Sequence, residues 1–351
     1  MARSNAQSSL FGRLFRQSVA VDLGTANTLI YTDDGGIVLN EPSVVCFDKH
    51  EAAAGKTRVA LVGSEAKQML GRVPVNMEAV RPMRHGVIAN FPAAEHMIRQ
   101  FVDMARPRPF FARRAAFTIC VPSGATQVER RAIREAAHAA GAWKVNLIDE
   151  SLASAVGAGL PVSAPTGSMV VDIGGGTTEI GVIALGGSAY NGSIRIGGDQ
   201  LDAAIIKHVR TNFGVLLGDQ TAELVKKTIG SALAIVPPDT MRATGRGVDD
   251  GLPRTVELST QDVVDAIAAP LRQMLAAVKG ALENAPPELV TDIADAGIVL
   301  TGGGALLGNL DRYFSNELGV DVRVADEPLT CAVRGAGAAA SAGLLDMSAY
   351  D

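Results

Sequence analysis

One short pattern occurs twice in this sequence, and it constrains the fold more than any other feature. The first copy, at 18–30, reads SVAVDLGTANTLI, and the second, at 168–180, reads SMVVDIGGGTTEI. Each copy is an apolar strand that ends in an aspartate, Asp22 or Asp172, followed by a glycine turn and a second apolar strand. The repetition predicts two similar α/β domains that face each other across a cleft.

The residue types in this pattern suit phosphate binding. Glycine has no Cβ, so backbone N–H groups can approach a charged ligand closely, and successive N–H groups in such a turn form an anion-binding concavity. A neighbouring aspartate can supply an oxygen ligand to a metal ion that bridges phosphates. One glycine turn is weak evidence, but two facing turns could hold one polyphosphate from both sides. We therefore predict a nucleoside triphosphate with Mg²⁺ in the cleft, with Asp22 and Asp172 binding the metal directly or through water.

A third apolar strand also ends in glycines. It lies at 296–306 and parallels the strand and turn at 119–125, so each half of the chain carries both the hairpin and a later strand that ends in a turn. This correspondence predicts an internal duplication. The pattern is not a Walker loop, because the nearest match, at 55–57, has His50 where that motif needs its first glycine. It is not a dinucleotide fingerprint either, since a strand follows the turn instead of a helix.

Composition narrows the class of protein. A length of 351 residues suits two domains, and the net charge of −5 gives no reason to expect nucleic-acid binding. The three cysteines, Cys46, Cys120 and Cys331, are far apart and suit reduced, buried thiols in a cytosolic protein. The sequence shows no apolar run of 18 or more residues and no signal-peptide pattern.

The N-terminal segment has the pattern of a short amphipathic helix. Leu10, Phe11, Leu14 and Phe15 fall on one helical face, away from the neighbouring arginines. Such a helix can lie in a membrane interface. Docking on the chain's own domain is the alternative.

A second candidate for membrane contact is the run RPRPFFARR at 106–114. Phe110 and Phe111 stand in a proline-broken, arginine-rich loop, and arginines can face anionic headgroups. Alternatively, both phenylalanines fold back into the core. The sequence leaves these two readings open.

The helix that follows the strand at 116–121 begins with a possible capping box, Thr126 with Glu129. Capping alone explains Glu129, but a carboxylate at this helix start could also orient a water in a cleft. Further along, residues 235–254 are rich in proline and glycine and predict a loop or a loose hairpin. Thr260 is predicted to cap a long helix that ends at Asn284. Its predicted apolar stripe consists of Val264, Ile267, Leu271, Met274, Val278 and Leu282.

These residues resemble a known family. The stretches 21–28 and 171–179 look like the two phosphate motifs of the actin superfamily, and 298–306 looks like its adenosine motif. Within that superfamily the chain is most similar to the MreB-like bacterial actins, and the resemblance extends over about 18–340. The sequence departs from that family at Ser151, where proline is usual, and within 235–250.

The resemblance implies an α/β protein with an actin-like fold: two duplicated α/β domains, each with a smaller subdomain, and the nucleotide in the interdomain cleft. The implied bounds are a membrane-binding segment at 1–17, subdomain IA at 18–34, 80–150 and 327–351, subdomain IB at 35–79, subdomain IIA at 151–190 and 260–326, and subdomain IIB at 191–259.

The resemblance also implies roles at matching positions. Glu129 would position the attacking water, Asp172 would assist both water and metal, and Asp22 would bind the metal. The residues implied to contact ATP are Thr25, Ala26, Asn27, Gly174, Gly175, Gly176, Thr177, Glu223, Leu224, Val225, Lys226, Gly303, Gly304, Ala305 and Leu306.

The implied function is that of a cytoskeletal ATPase. MreB-like proteins polymerise on ATP into filaments, expected here as paired protofilaments, on the inner face of the cytoplasmic membrane. They work with membrane proteins of the wall-synthesis machinery. A small-molecule kinase of the same superfamily is the alternative, although the sequence shows no polar cluster for a sugar. A chaperone-like ATPase would need a peptide-binding domain, for which the sequence has no room.

Overall fold

The computed structural model describes residues 18–48, 58–105 and 115–342. The chain forms two compact units: unit 1 runs to Val121 and includes Ala125–Asp149 and the residues from Val333, whereas unit 2 contains Pro122–Gly124 and Glu150–Ala332. The predicted membrane residues (Leu10, Phe11, Leu14, Phe15, Phe110, Phe111) and the near-Walker run at 55–57 lie outside the described residues.

Unit 1 is built on a five-stranded mixed sheet, with a small three-stranded sheet beside it. Its elements in chain order are β1 (Ser18–Leu23), β2 (Asn27–Thr32), β3 (Gly36–Pro42), β4 (Val45–Asp48), β5 (Arg58–Val62), α1 (Gly63–Met69), β6 (Met77–Val80), β7 (Met83–Arg84), β8 (Val87–Ile88), α2 (Phe91–Ala105), β9 (Ala116–Val121), α3 (Gln127–Ala139) and β10 (Lys144–Asp149). The large sheet has the order β10-β9-β1-β2-β3, and the small one the order β5-β4-β6.

Unit 2 repeats this plan. Its elements are α4 (Glu150–Gly157), β11 (Ser168–Ile173), β12 (Thr178–Ala184), β13 (Gly187–Ile194), α5 (Gly198–Phe213), β14 (Val215–Leu216), α6 (Asp219–Ile229), β15 (Thr240–Gly247), β16 (Pro253–Ser259), α7 (Thr260–Asn284), α8 (Pro287–Ala296), β17 (Ile298–Thr301), α9 (Leu310–Leu318) and β18 (Val322–Val324). A final helix, α10 (Cys331–Ala342), begins in unit 2 and continues into unit 1. The large sheet has the order β13-β12-β11-β17-β18.

The two large sheets confirm the predicted duplication. In unit 1, β1 pairs antiparallel with β2 and parallel with β9. In unit 2, β11 pairs antiparallel with β12 and parallel with β17. The strands β9 and β17 are therefore equivalent, as their apolar sequences and glycine-containing ends predicted. Their side chains are almost wholly buried, which is expected of parallel strands covered on both faces.

Each unit has its own apolar core. In unit 1, α2 packs its apolar stripe, including Met97, Ile98 and Phe101, against the sheet. In unit 2, the long helix α7 buries Ile267, Leu271, Met274 and Val278 beneath β12 and β13. The spacing of three and four residues puts these side chains on one helical face. The predicted stripe of α7 is thus confirmed.

One local prediction needs correction, and another becomes more definite. The N-cap of α7 is Ser259, one residue before the predicted Thr260, because the Ser259 hydroxyl accepts from the Asp262 N–H and Asp262 caps it in return. Residues within 235–254 also contribute to regular structure, since β15 and β16 pair over seven positions. Glycine and proline in that sequence left a loop or a loose hairpin open. The structure shows the hairpin, and its pairing is regular because strand pairing overrides such local preferences.

The predicted subdomain bounds remain a prediction. The structure places β3 in the large sheet of unit 1, although the predicted small subdomain begins at residue 35. Similarly, β13 is an edge strand of the large sheet of unit 2, and it crosses the predicted boundary at 191. No helix in the described ranges has both the length and the apolar character needed to cross a bilayer.

Two helical glycines form a matched pair for a stability test. A Cβ on Gly157, at the end of α4, would collide with the carbonyl oxygen of Cys331, whereas a Cβ on Gly280 in α7 would meet no atom within 4 Å. We expect Gly157→Ala to lower the free energy of unfolding by about 1–3 kcal/mol through overpacking. Gly280→Ala should raise it by about 0.5–1 kcal/mol. Chemical denaturation measures both, and shifts of the same sign would contradict the packing described.

Candidate functional site

The two glycine turns have the same backbone plan. Leu23 pairs with Thr28 in the first hairpin and Ile173 pairs with Thr178 in the second, so each loop contains four residues. In the second loop, the Gly174 N–H donates to the Thr177 carbonyl at 2.9 Å. The repeated sequence therefore forms a repeated hairpin.

The first turn, in unit 1, is held from outside the hairpin. The Ser43 hydroxyl is fully buried, donates to the Gly24 carbonyl at 2.7 Å and lies 2.9 Å from the Thr28 hydroxyl. The sequence does not predict this role of Ser43, because nothing in a linear sequence pairs it with a turn nineteen residues earlier. Its two contacts fix the shape of the turn.

The predicted phosphate-contacting residues of this turn differ in exposure. Thr25 is buried, and its hydroxyl accepts from the Gly86 N–H at 2.9 Å. Ala26 is exposed, and Asn27 is half-buried and donates through its side-chain amide to Asn40. The turn therefore presents mainly its backbone at Ala26 and Asn27.

The second turn, in unit 2, packs against the start of α5. The N–H groups of Gly198 and Asp199 donate to the carbonyls of Gly174 and Gly175 at 3.0 and 2.8 Å. Gly197 must be glycine, since a Cβ there would lie 2.6 Å from the Gly174 oxygen. These bonds occupy two carbonyl oxygens of the turn. The Gly174 N–H is used within the hairpin, so the N–H groups that follow it are the ones that suit an anion.

Asp172 is a buried carboxylate at the end of β11. The hydroxyls of Ser154 on α4 and Thr301 on β17 both donate to its Oδ2. Burial raises the pKa of Asp172, and the two hydroxyl hydrogen bonds oppose that rise. On the other side, a Cβ at Gly302 would lie 2.7 Å from Oδ1. Asp172 therefore joins three elements as well as ending the strand.

Glu179 is a second buried acid, which the sequence analysis did not assign. It lies opposite Asp172 in the β11–β12 ladder and has no exposed surface. Its carboxylate accepts from the Ser123 N–H at 3.0 Å and from the Ser193 hydroxyl at 2.6 Å. Burial raises the pKa of Glu179 to about 7, and the nearby charge of Asp172 contributes to the rise. The sequence does contain a signal for this buried acid, because Glu179 is the one charged residue in the largely apolar strand β12.

The two predicted metal ligands lie in different units and have different surroundings. Asp22 is half-buried at the end of β1, while the Oδ2 of Asp172 is already bound by two hydroxyls. Across the described parts of the chain, no three His, Cys, Asp or Glu side chains are grouped as a metal site. Mg²⁺ usually keeps several waters and binds one or two carboxylates plus phosphates. The residues present are consistent with that mode.

The four predicted contacts on α6 have different surroundings. Lys226 donates to the Gly198 carbonyl at 2.9 Å and forms an ion pair with Asp202 at 2.8 Å. Glu223 forms an ion pair with Lys227, which is the helical pairing its spacing predicts. Leu224 is 53% exposed, whereas the Val225 side chain lies in the core of unit 2. Any contact of Val225 with a ligand would therefore be through its backbone.

The third glycine turn folds into a single 3₁₀ turn, Gly303–Leu306, after β17. Gly302 has a φ of +79°, and a Cβ on Gly304 would collide with the Ile173 side chain. Ala305 is buried and Leu306 is 64% exposed. Within unit 2, the third turn packs on the end of β11, while Lys226 contacts the start of α5, which binds the second turn. The structure thus brings these predicted residues of unit 2 together.

Glu129 forms the predicted capping box of α3. Its Oε2 accepts from the Thr126 N–H at 2.7 Å and from the Thr126 hydroxyl at 2.9 Å. The sequence alone assigned no functional role to a second carboxylate, Glu150. It begins α4 and precedes Ser154 by four residues, so both side chains project from one face of the helix. Because Ser154 binds Asp172, that face is directed toward the end of β11.

Comparison with known proteins gives a consistent assignment. A family model described as "MreB/Mbl protein" matches residues 16–344. The chain belongs to the MreB/Mbl family. The cell shape-determining protein MreB of Escherichia coli K12 is 52% identical over 344 residues, covering 97% of each chain. The cell shape-determining protein Mbl of Bacillus subtilis 168 is 40% identical, covering 92% of this chain and 96% of the relative.

A solved structure of the same family confirms the fold. The crystal structure of MreB5 of Spiroplasma citri bound to ADP has a TM-score of 0.88 and 32% identity, covering 95% of this chain and 98% of that one. The predicted actin-like α/β fold is therefore confirmed for this MreB/Mbl-family chain.

The raised pKa of Glu179 predicts a pH dependence of stability. The folded-state pKa of about 7 exceeds the value of about 4.3 for an unfolded chain. Protonation therefore favours the folded state, and the stabilisation is lost as pH rises through 7. Glu179→Gln removes this titration, so we expect its Tm to exceed that of the nucleotide-free wild type by several degrees more at pH 8 than at pH 5.

Circular dichroism melts at the two pH values measure this difference. The exposed Glu283→Gln on α7 serves as a control and should shift Tm equally at both. A Glu179→Gln effect that is the same at pH 5 and pH 8 would contradict the buried titration.

Proposed function

We propose that this protein is an ATP-dependent, filament-forming, actin-like cytoskeletal protein that maintains rod cell shape by organising cell-wall synthesis. The main evidence for this function is that the chain is similar over nearly its full length to proteins named cell shape-determining protein. The two hairpin turns support it, since both are four-residue turns that contain glycine, which lets a backbone approach a phosphate closely. A small-molecule kinase is not favoured, because the relatives that match over nearly the whole chain are cytoskeletal.

The nucleotide is proposed to be ATP with Mg²⁺. The MreB5 relative was solved bound to ADP, which supports a nucleotide as the ligand of this chain. Backbone N–H groups at 25–27 and 175–177 would hold the phosphates, because the Gly174 N–H already donates to the Thr177 carbonyl. Glu223 and Lys226 would contact the ribose and base, and the exposed Leu224 and Leu306 would give the base apolar surface.

Hydrolysis is proposed to be slow and to depend on positioning. Bound Mg²⁺ would neutralise charge on the phosphates, with Asp22 and Asp172 as its protein ligands, directly or through water. Ser154 and Thr301 hold the Asp172 carboxylate in one orientation. A fixed carboxylate can orient a water without reorganising during the reaction.

Two carboxylates, those of Glu129 and Glu150, are candidates for positioning the attacking water. The family resemblance implied Glu129, and that assignment stays a prediction. Glu129 is engaged by both cap donors of Thr126, whereas Glu150 shares a helix face with Ser154 and a unit with Asp172. The described contacts therefore favour Glu150.

Glutamine variants separate these two roles. Glutamine at position 129 preserves a capping box, so Glu129→Gln changes charge without removing the cap. We expect Glu150→Gln to slow ATP hydrolysis by about 10²-fold, within the range for general base catalysis, with ATP affinity retained. Phosphate release under single-turnover conditions measures the rate. If ATP hydrolysis is slowed in Glu129→Gln and not in Glu150→Gln, Glu129 is the residue that positions the attacking water.

The proposed location is the cytoplasm, peripheral on the inner face of the cytoplasmic membrane. Leu10, Phe11, Leu14 and Phe15 would form one anchor, and Phe110 and Phe111 a second. Two weak anchors repeated along a polymer give strong avidity. The proposed partners are other copies of this chain, as paired protofilaments, and membrane proteins of the wall-synthesis machinery.

Sedimentation tests the proposed function directly. We expect the protein to pellet with ATP, and to pellet with anionic liposomes more than with neutral ones. Replacing Phe110 and Phe111 with serine should reduce liposome binding at least several-fold and leave ATP-dependent pelleting unchanged. A protein that never sediments with ATP and phosphorylates a sugar would refute the cytoskeletal role.

A further inference from the structure

The chain crosses between its two units at a very short segment. After β9, residues Pro122–Gly124 belong to unit 2, and the chain returns to unit 1 at Ala125. We call Pro122–Gly124 the linker. Such a short excursion carries one apolar side chain, that of the buried Pro122, so the attachment of Ser123 and Gly124 depends on specific polar contacts.

Glu179 provides the main contact of the linker in unit 2. Its Oε2 accepts from the Ser123 N–H at 3.0 Å. The Ser123 hydroxyl is 3.5 Å from the Ser151 hydroxyl, at the outer limit of a hydrogen bond. A hydrogen bond to a carboxylate is roughly twice as strong as one between neutral groups. The carboxylate is therefore the strongest polar attachment of the linker among these contacts.

The Glu179 side chain is itself fixed from the opposite side. The Ser193 hydroxyl on β13 donates to Oε1 at 2.6 Å. Ser193 also lies against the linker, since a Cβ on Gly124 would sit 3.2 Å from the Ser193 Cβ. Ser151, a departure from the family pattern, donates to Asn191 on the same strand. The linker thus rests on a polar surface formed by β12, β13 and α4.

The backbone joins this contact to the second glycine turn. Glu179 follows Thr177, the last residue of the turn, by two positions and pairs with Asp172 across the hairpin. Hydrogen-bonded strands move together, so a shift of the turn would carry Glu179 with it. On the other side, Thr126, the N-cap of α3, follows the linker by two residues.

We propose that Glu179 is a positioning residue that attaches the linker to the phosphate turn of unit 2. When nucleotide shifts or rigidifies the turn, Glu179 passes that change to Ser123 and so to the start of α3. This inference rests on the proposed ATP binding at the turn. It assigns to Glu179 a role in coupling nucleotide state to assembly, and no part in the chemical step.

Two substitutions of similar size separate a hydrogen-bonding role from a packing role. Glu179→Gln keeps an oxygen to accept from Ser123 and gains an NH₂ group that can donate to the Ser193 oxygen. Glu179→Met fills nearly the same volume but accepts no comparable hydrogen bond. Ser193→Ala removes one of the two contacts that fix the carboxylate, and Ser188→Ala, at an exposed position of β13, is its matched control.

Amide hydrogen exchange at Ser123 is the primary measurement, with and without a non-hydrolysable ATP analogue. We expect wild type, Glu179→Gln and Ser188→Ala to show a protected amide that becomes slower with nucleotide. Glu179→Met should exchange at least about tenfold faster, since losing a hydrogen bond to a charged acceptor is a large effect. Its exchange should no longer respond to nucleotide. Ser193→Ala should lie between, at about threefold faster.

ATP affinity and ATP-dependent sedimentation are measured on the same proteins. We expect ATP affinity to stay within about threefold throughout, while Glu179→Met loses ATP-dependent sedimentation and Glu179→Gln retains it. Equal exchange at Ser123 in Glu179→Met and wild type would overturn the proposal. The proposal would also be overturned if Glu179→Gln behaved like Glu179→Met. The negative charge of Glu179 would then matter more than its hydrogen bond to the Ser123 N–H.

The exchange measurement keeps this inference separate from the proposed function. If wild type does not sediment with ATP, the cytoskeletal proposal fails, and exchange at Ser123 still decides whether Glu179 holds the linker. If Glu179→Met does not fold, the comparison of Ser193→Ala with Ser188→Ala decides the same point. Equal Ser123 exchange in those two serine variants would overturn the proposal.

Discussion

The buried carboxylate of Asp172 is the interaction on which unit 2 depends. It ends the central strand β11 and accepts hydrogen bonds from Ser154 on α4 and Thr301 on β17. A buried charge is costly unless it is hydrogen-bonded, so these two hydroxyls are required where they are. Because the three elements meet at one oxygen, the carboxylate fixes the position from which the glycine turn begins.

The two copies of the hairpin have diverged at the position opposite the aspartate. Leu29 faces Asp22 in unit 1, whereas Glu179 faces Asp172 in unit 2. The supports of the turns have diverged too: a serine from outside the hairpin binds the first turn, and the start of α5 binds the second. The two copies thus share the backbone plan, while only the second carries a further acid at this position and a contact with the crossing segment.

Much of the fold was readable from the sequence, because buried strands and amphipathic helices impose strict patterns. The continuous apolar run at 116–121 predicted β9, and the spacing of Ile267, Leu271 and Met274 predicted α7. The sequence failed where partners are distant. It gave no sign that Ser43 binds Gly24 or that Ser123 binds Glu179, since such pairs form only after the strands assemble. The β15–β16 hairpin was predicted only as a loose alternative to a loop, because proline and glycine signals do not show how regularly two strands will pair.

The sequence by itself determined the duplicated hairpin, the glycine positions and the family, because each depends on residue types at fixed local spacing. Only the tertiary structure decided how the acids are used. The sequence alone does not distinguish the roles of five acidic residues: Asp22, Glu129, Glu150, Asp172 and Glu179. Folding makes Glu129 a helix cap, Asp172 a buried junction and Glu179 a linker contact, and it puts Glu150 on the face of Ser154. The physical reason is that burial and hydrogen-bond partners, which set the charge and orientation of a carboxyl group, come from residues far away in the chain.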